Sequence, residues 1–376
     1  MLNTTQNYIF IIASFLLSMA CGLTCIPYII RFCMKKGLYD MPGGRKVHKN
    51  AIPRLGGISF MPSMFLASLI VMVIFGAQTG TGQIQVSYWT VGFFVSLLII
   101  YFVGIVDDMA GLGAKTKFTA QIIAAAILPL SGLYVNNLYG FCGIYELPYL
   151  VGAPLTLFIV VFICNAINLI DGIDGLSAGL SFIALSGFLF CFFQQDMPLY
   201  CILVAGLMGV LLAFLYYNLF GKSEKHQKIF MGDSGSLTLG YILGFFCIKL
   251  SMHNPQVMCY RPDALLLSYT FVLVPIFDVV RVSLVRIAHH VSIFHADKNH
   301  IHHKLMRSGL NQHQALIAIY LLAVFYIVVN IVLYRLSVRQ DIIVVADVLV
   351  WFAFHQALNH FIVRNGQPIY LVNPET

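Results

Sequence analysis

The chain alternates between long apolar runs and short polar segments along its whole length. Eleven of the runs have roughly the 20 residues that a helix needs to cross the hydrocarbon core of a bilayer. Runs of this length predict helices, because a bilayer offers no water to satisfy an open strand edge. The predicted spans are residues 8–30, 55–77, 88–106, 118–134, 149–168, 176–193, 199–219, 237–251, 265–283, 314–334 and 342–362. This pattern predicts an all-α, polytopic integral membrane protein with about eleven transmembrane helices.

The composition agrees with this prediction. Hydrophobic residues make up 59% and charged residues 10% of the 376 positions, which is too apolar for a soluble globular protein. The spans leave only short loops, so residues 1–376 are predicted to form a single transmembrane domain. The first run has its basic residues after it rather than before it, which predicts a retained helix instead of a cleaved signal peptide.

The basic residues indicate which ends of the spans face the cytoplasm. With the N-terminus placed outside, 18 of the 22 Lys and Arg residues fall on inner loops or inner span edges. Short cytoplasmic loops carry such an excess of positive charge. We therefore predict an outer N-terminus and a cytoplasmic C-terminus. Two cysteines in predicted outer loops, Cys142 and Cys259, could form a disulfide.

Five carboxylates fall at the inner ends of the predicted spans. They are Asp107, Asp108, Asp171, Asp174 and Asp233. An ionised Asp at the centre of a spanning helix costs about 2.5–3.5 kcal/mol, so we expect these side chains at a membrane edge. An ion-coupled transporter would more often place such groups near the midplane, in broken helices of two related halves. No such repeat is present in the sequence, so we predict an enzyme site on one membrane face and keep a transporter as the alternative.

Two motifs are rich in these carboxylates. Asn168, Asp171 and Asp174 are spaced so that a continuing helix would point all three into one pocket, although a polar hairpin between two spans would also explain them. The adjacent pair Asp107 and Asp108 repel each other, which suits a proton acceptor or a ligand of metal-bound water. The alternative is that this pair only ends the third span.

Two further segments suit a cation and phosphate groups. Asp233 stands among small residues, where it could hold a hard cation while the backbone approaches a phosphate; an ordinary turn is the alternative. The first inner loop, residues 31–54, is strongly basic and would attract anionic groups beside the membrane. It could instead serve only to fix the topology. The length of the loop and the glycine pairs Gly43-Gly44 and Gly56-Gly57 favour a site, because fixing the topology requires no glycines.

A histidine motif precedes the tenth span. His300, His302 and His303 stand among Lys and Arg residues, which favours phosphate binding. Zinc binding and a solvated loop are the alternatives, and the usual zinc companions are missing from the neighbouring sequence. Asp278, near the inner edge of the ninth span, is predicted to pair with Arg281 three residues later.

Taken in order, four motifs resemble those of the polyprenyl-phosphate N-acetylhexosamine-1-phosphate transferases. The motifs are Asp107-Asp108, Asn165-Ala-Ile-Asn168-Leu-Ile-Asp171-Gly-Ile-Asp174-Gly, Phe230-Met-Gly-Asp233-Ser-Gly-Ser and His300-Ile-His302-His303. The resemblance implies transfer of a sugar 1-phosphate from a UDP-N-acetylhexosamine to undecaprenyl phosphate at the cytoplasmic face of a bacterial inner membrane. It implies Mg²⁺, or Mn²⁺ in its place, and the release of UMP. It implies no nucleic-acid partner and allows a homodimer.

The resemblance also implies roles for individual residues. Asp233 would be the principal Mg²⁺ ligand, and Asn168 would assist at the metal or the pyrophosphate. Asp107 and Asp108 would deprotonate or position the lipid phosphate. The other implied site residues are Asp171 and Asp174 on the nucleotide side, with Lys49, Lys115, Lys117, His300, His302 and His303 at the phosphates.

Two features bear on the sugar. The His-Ile-His-His pattern and the eleventh span resemble the branch that transfers N-acetylglucosamine 1-phosphate and initiates envelope polysaccharides such as lipopolysaccharide O-antigen. Ala296-Asp297-Lys298-Asn299 departs from the Pro-Asp-Arg-Gln usual in that branch, which leaves the sugar open. Transfer of phospho-MurNAc-pentapeptide, for peptidoglycan, is the alternative within the family. A CDP-alcohol phosphotransferase is not favoured, because its D-G-x-x-A-R signature is absent.

Overall fold

The computed structural model describes residues 4–40, 51–79, 87–292 and 297–371. The helices in these ranges are α1 (Thr4–Lys36), α2 (Phe60–Thr79), α3 (Tyr88–Ala110), α4 (Ala114–Leu130), α5 (Tyr149–Ile170), α6 (Leu176–Gln194), α7 (Pro198–Phe220), α8 (Asp233–Ser251), α9 (Ala264–Phe271), α10 (Leu273–Ala288), α11 (Ile301–Arg307), α12 (Gln312–Arg335) and α13 (Gln340–Arg364). Within the described residues, nine helices are long and apolar enough to cross a membrane. The prediction of an all-α, polytopic membrane protein is confirmed.

Two predicted spans take a form that the sequence analysis did not anticipate. The run 118–134 is α4, which has 17 residues and contains Pro129 near its end. The run 265–283 is divided into α9 and α10 at Val272. Pro275 explains this division, because its ring crowds the carbonyl of Phe271, four residues earlier, and offers that carbonyl no N–H donor. The count of eleven crossings remains a prediction.

The described chain also forms two short antiparallel strand pairs that were not predicted. The strands are β1 (Tyr39–Asp40) with β2 (Ile52–Pro53), and β3 (Asn137–Phe141) with β4 (Ile144–Glu146). Cys142 and Gly143, which join β3 to β4, have φ values of 51° and 80°. Positive φ at both central residues is the geometry of a tight two-residue hairpin. The suggested disulfide is not formed, since Cys142 and Cys259 are both free thiols.

Helix α8 lies at the centre of the bundle. Every residue after its first is buried, and it contacts α3 and α5 along its length. A Cβ atom added at Gly240 would lie 2.6 Å from the Cα atom of Cys164, and one at Gly104 would lie 2.6 Å from the Cα atom of Ser234. Glycine is therefore needed at both positions, because small residues let helix backbones approach this closely.

Several helices gather their polar ends at one end of the bundle. The C-terminal ends of α3, α5 and α7 meet the N-terminal ends of α4, α8 and α12 there, as side-chain hydrogen bonds between them demonstrate. We call this the polar end. It contains all five of the carboxylates that the sequence placed at span ends.

Candidate functional site

The polar end is built on the first turn of α8, which Asp108 caps from α3. Its Oδ1 atom accepts a hydrogen bond from the backbone N–H of Asp233 at 2.8 Å, and its Oδ2 atom accepts one from Ser234 at 2.9 Å. A carboxylate at this position satisfies free helix donors and complements the helix dipole. Gly232, the residue before Asp233, has a φ of 74°, and a Cβ atom there would lie 2.5 Å from Asp108 Oδ2. Asp108 therefore fixes where α8 begins.

Asp107, although adjacent in sequence, faces a different group of atoms. The Nζ atom of Lys117 donates to Asp107 Oδ2 at 3.0 Å and to Asp233 Oδ2 at 3.1 Å. The backbone N–H of Leu112 donates to Asp107 Oδ1 at 2.6 Å. Asp107 and Asp233 thus pair with the ammonium group of Lys117 from two different helices. Its positive charge reduces the repulsion between the two carboxylates.

Asn168, at the end of α5, completes this group. Its Nδ2 atom donates to Asp233 Oδ1 at 2.5 Å and to Ser236 Oγ at 2.8 Å. Both amide hydrogens are used in this way, so the atom that Asn168 can offer to a cation is its carbonyl oxygen. Asp233 and Asn168 were both predicted as metal ligands, and the structure brings them together.

The glycine pair Gly56-Gly57 supports the segment that leads into α8. Gly56 donates from its backbone to the carbonyl of Phe230 at 2.9 Å, and Gly57 donates to the carbonyl of Met231 at 2.8 Å. A Cβ atom at Gly57 would collide with the backbone of Gly235. Only glycine permits this close approach. The glycine pair that follows the first inner loop is therefore part of the scaffold of the site.

A cavity of about 530 Å³ opens beside these groups. Its lining includes six residues that the sequence analysis selected: Asp108, Asn168, Asp171, Asp174, Asp233 and His303. The lining also includes residues that the sequence analysis did not assign to the site, among them Arg54, Asn218, Lys228, Phe230 and Gln312. Arg54 and Lys228 could have been selected as basic residues beside motifs, whereas no local signal marks Gln312.

The loop 171–175 forms one wall of the cavity, and here one expectation was wrong. Asp171 and Asp174 do not lie on a continuing helix, because α5 ends at Ile170 and Gly175 has a φ of 78°. The loop is held from other elements instead. Lys228 Nζ lies 2.6 Å from Asp174 Oδ2, and the backbone of Gly175 donates to the side chain of Asn218 at 2.6 Å. The three polar side chains still share one cavity, as predicted.

Asp171 has an unusual protonation equilibrium. Burial, followed by the negative charges of Asp233, Asp174 and Asp108, raises the pKa of the Asp171 carboxyl from 3.8 to about 7. The folded protein therefore holds a proton that the unfolded chain has released between these two pH values, and stability falls as the pH rises through this window.

We expect Asp171→Asn to unfold at a higher temperature than the parent protein, because the neutral amide removes the ionised form that the fold disfavours. The difference should grow between about pH 4 and pH 7 and then stay constant. Thermal unfolding in chelator, without nucleotide, tests this. Asp174→Asn is the matched control: it removes a carboxylate already paired with Lys228 and should not stabilise. An Asp171→Asn advantage that is independent of pH would contradict the assignment.

The histidine motif packs against this loop. A Cβ atom at Gly172 would collide with the imidazole of His302, which is 1% exposed. The Nδ1 atom of His300 lies 2.8 Å from Asp278 Oδ2, and Arg281 pairs with the other Asp278 oxygen at 2.7 Å, which confirms the predicted Asp278–Arg281 pair. The solvated-loop alternative is therefore wrong. Among the described residues, no group of three His, Cys, Asp or Glu side chains could hold a metal ion.

His303 is the member of the motif that lines the cavity. Burial, with the charges of His300, Arg307 and Lys298, lowers its pKa to about 4. The imidazole is therefore neutral at pH 7 and offers a phosphate one N–H donor rather than a positive charge.

Not all of the predicted phosphate-binding residues line the cavity: among the described ones, Lys115, Lys117, His300 and His302 do not. Lys115 is exposed on the first turn of α4 and does not line the cavity. Lys49 lies outside the described residues. Lys117 lies on the same turn as Lys115 but reaches Asp107 and Asp233. Of the two lysines on α4, Lys117 is therefore the one that pairs with the carboxylates.

Comparisons with known proteins find one matching family model and several relatives that match most of the chain. A family model described as glycosyl transferase family 4 matches residues 90–251. A Bacillus subtilis (strain 168) protein named probable undecaprenyl-phosphate N-acetylglucosaminyl 1-phosphate transferase is 31% identical over 354 residues, 92% of this chain and 91% of that protein. An Escherichia coli (strain K12) undecaprenyl-phosphate alpha-N-acetylglucosaminyl 1-phosphate transferase is 29% identical, over 85% and 83% of the two chains. A Mycobacterium tuberculosis (strain ATCC 25618 / H37Rv) decaprenyl-phosphate N-acetylglucosaminephosphotransferase is 32% identical, over 76% and 73%.

Proposed function

The chain belongs to the polyprenyl-phosphate N-acetylhexosamine-1-phosphate transferases, and we propose that it transfers N-acetylglucosamine 1-phosphate from UDP-N-acetylglucosamine to undecaprenyl phosphate. The products are undecaprenyl-pyrophosphoryl-N-acetylglucosamine and UMP. The names of the relatives favour this sugar over phospho-MurNAc-pentapeptide. In a bacterial inner membrane the reaction would initiate an envelope polysaccharide.

The observation that carries the proposal is the group formed by Asp107, Lys117, Asp233 and Asn168 beside the cavity. It joins four helices at the polar end of the bundle, where a water-soluble nucleotide sugar and a membrane lipid can meet. Asp107 lies in the last turn of α3 and Asp233 is the first residue of α8. Carboxylates at helix ends fit an enzyme at a membrane face better than an ion-coupled transporter, which would use the midplane.

The donor set also fits Mg²⁺, with Mn²⁺ as a substitute. Asp233 would supply a carboxylate oxygen and Asn168 its carbonyl oxygen, since the amide hydrogens of Asn168 are already donated. Mg²⁺ is usually held by one or two carboxylates together with substrate phosphates, so a sparse protein site suits it. When bound, the ion would neutralise charge on the pyrophosphate.

The chain's own residues would bind and orient the two substrates. An oxygen of the lipid phosphate attacks the sugar-bearing phosphorus, and the bond from that phosphorus to the oxygen of UMP breaks. Lys117 and His303 would donate to phosphate oxygens, and Asp107 would position the acceptor or take its residual proton. A phosphate monoester with a second pKa of about 6 is already largely ionised at neutral pH, so it needs little help to attack.

We expect a single displacement, without a phospho-sugar enzyme intermediate. No described Ser or Cys that lines the cavity has an imidazole as its hydrogen-bond partner, which an activated hydroxyl or thiol nucleophile would require. Only a carboxylate such as Asp107 or Asp108 could serve instead, and a lipid phosphate that is already largely ionised has little need of it. Labelled UMP should therefore enter the UDP-sugar pool only when undecaprenyl phosphate or the lipid product is present. Exchange in rigorously lipid-free enzyme would show a covalent intermediate and contradict the expectation.

We further propose that the polar end faces the cytoplasm, where UDP-sugars are found, with the N-terminus outside. A reporter that functions only in the cytoplasm should be active when fused to the C-terminal end of the chain, because short inner loops carry the positive charge. The matched control is the same reporter inserted at Cys142 and Gly143, in the β3–β4 turn at the opposite end, where it should be inactive. The reverse result would place the cavity on the wrong face.

Release of UMP is the direct test of the function. Purified protein mixed with UDP-N-acetylglucosamine, undecaprenyl phosphate and Mg²⁺ should release UMP and form a lipid of the expected mass. Repeating the reaction with UDP-N-acetylgalactosamine and UDP-MurNAc-pentapeptide tests the sugar. Lipid product from the pentapeptide donor alone would establish the alternative, and transport of substrate without UMP release would establish a carrier.

A further inference from the structure

The segment that follows α13, residues 366–371, returns across the histidine motif. The side chain of Asn299 joins its backbone by two hydrogen bonds: Leu371 N–H donates to Asn299 Oδ1 at 3.0 Å, and Asn299 Nδ2 donates to the Leu371 carbonyl at 3.2 Å. This pairing resembles one rung of a β-ladder. Asn299 is 2% exposed, whereas Leu371 is 36% exposed, so the contact is partly buried.

The two residues before Leu371 contact α11 itself. Arg307, at the end of α11, donates to the carbonyl of Ile369 at 3.3 Å. The Nζ atom of Lys304 lies 5.5 Å from the centre of the Tyr370 ring, a cation–π distance. Ile369 and Tyr370 therefore contact α11, and Leu371 contacts Asn299, two positions before the start of α11.

Helix α11 needs this support. It has seven residues, and helices this short are not stable through their own hydrogen bonds. Lys304 is 1% exposed and donates to Asn359 of α13 at 2.6 Å, so α13 also holds α11 in place. His303 lies between these attachment points and reaches the cavity.

We propose that residues 366–371 form a strap that positions α11, and with it His303, against the cavity. Asn299 and Tyr370 are positioning residues, because they contact the strap and α11 rather than the cavity. The effect of the strap on transfer rests on the function proposed above, whereas its effect on the order of α11 does not.

Two truncations provide a matched test. A chain that stops after Asn365 lacks the strap, and a chain that stops after Leu371 keeps it. Hydrogen–deuterium exchange of the amides of residues 301–308 should be faster in the shorter chain and unchanged in the longer one, while α8 stays protected in both. The kcat/KM value for UDP-N-acetylglucosamine should fall roughly 10- to 100-fold in the shorter chain, as is typical when a supporting residue of a site is lost. The KM for undecaprenyl phosphate should not change.

Point variants keep the test decisive if the shorter chain does not fold. Tyr370→Ala and Asn299→Ala should reproduce faster exchange in residues 301–308, and Tyr370→Phe, which keeps the aromatic ring, should restore the parent behaviour. Unchanged exchange in residues 301–308 for both alanine variants would overturn the strap. If no chain, including the parent, releases UMP, the proposed function fails, and the exchange result still decides the strap.

Discussion

Asp233→Asn should abolish transfer while leaving the protein folded. The substitution removes a charged oxygen from the proposed cation site, but it keeps the backbone N–H that Asp108 holds at 2.8 Å and an oxygen that can accept from Asn168 or Lys117. Charge stabilisation by a bound metal ion contributes several kcal/mol, and about 4 kcal/mol corresponds to roughly a 10³-fold loss of rate. We expect a loss of at least this size in kcat.

The measurement should separate metal binding from folding. In the parent protein, Mg²⁺ or Mn²⁺ together with UMP should raise the unfolding temperature, since a ligand that binds only the folded state stabilises it. Asp233→Asn should lose this shift and keep the unfolding temperature measured in chelator. Asp341→Asn is the control, because Asp341 pairs with exposed Arg339 at the opposite end of the bundle. A variant at Asp233 that retains the Mg²⁺ dependence of the parent would remove this residue from the metal site.

The sequence predicted those features that depend on local pattern. Runs of apolar residues located the helices within a few positions, because the length of a spanning helix is fixed by the bilayer. Asp233 was selected because it stands among glycines at the end of such a run, and Asn168 because of its spacing from Asp171 and Asp174. Their roles as metal ligands came from the resemblance to the family. Pro275 also marked the division between α9 and α10, but an apolar run of the expected length concealed it.

Other features depend on contacts between distant residues. The sequence could not separate Asp107 from Asp108, since what distinguishes them is a helix start 125 residues away from Asp108. Asn218 was hidden in an apolar helix, and its role is to join loop 171–175 to the segment before α8. Gln312 reaches Asp174 only because α12 begins beside the cavity. These are consequences of the packing, and no local periodicity carries them.

The same chemical change at Asp107 and Asp108 should have different results. The two carboxylate oxygens of Asp108 accept hydrogen bonds from two backbone N–H groups. An Asn side chain has one oxygen, which can accept from only one of these N–H groups. Its NH₂ group would face the other N–H, so that two donors would meet without an acceptor. An unsatisfied buried donor costs about 1–3 kcal/mol. Asp108→Asn should therefore lower the unfolding temperature and disturb the start of α8, so that activity and stability fall together.

Asp107→Asn should instead lower activity at nearly parental stability. The amide oxygen can still accept from the backbone of Leu112, which holds Asp107 Oδ1 at 2.6 Å, so the end of α3 stays satisfied. What is lost is the negative charge opposite Lys117 and the capacity to take a proton from the acceptor. General base catalysis contributes about 10²–10⁴-fold, whereas positioning alone would leave more activity, so the size of the loss in kcat separates the two roles. Purified variants compared by thermal unfolding and by UMP release decide this, and a stable, fully active Asp107→Asn protein would exclude Asp107 from the reaction.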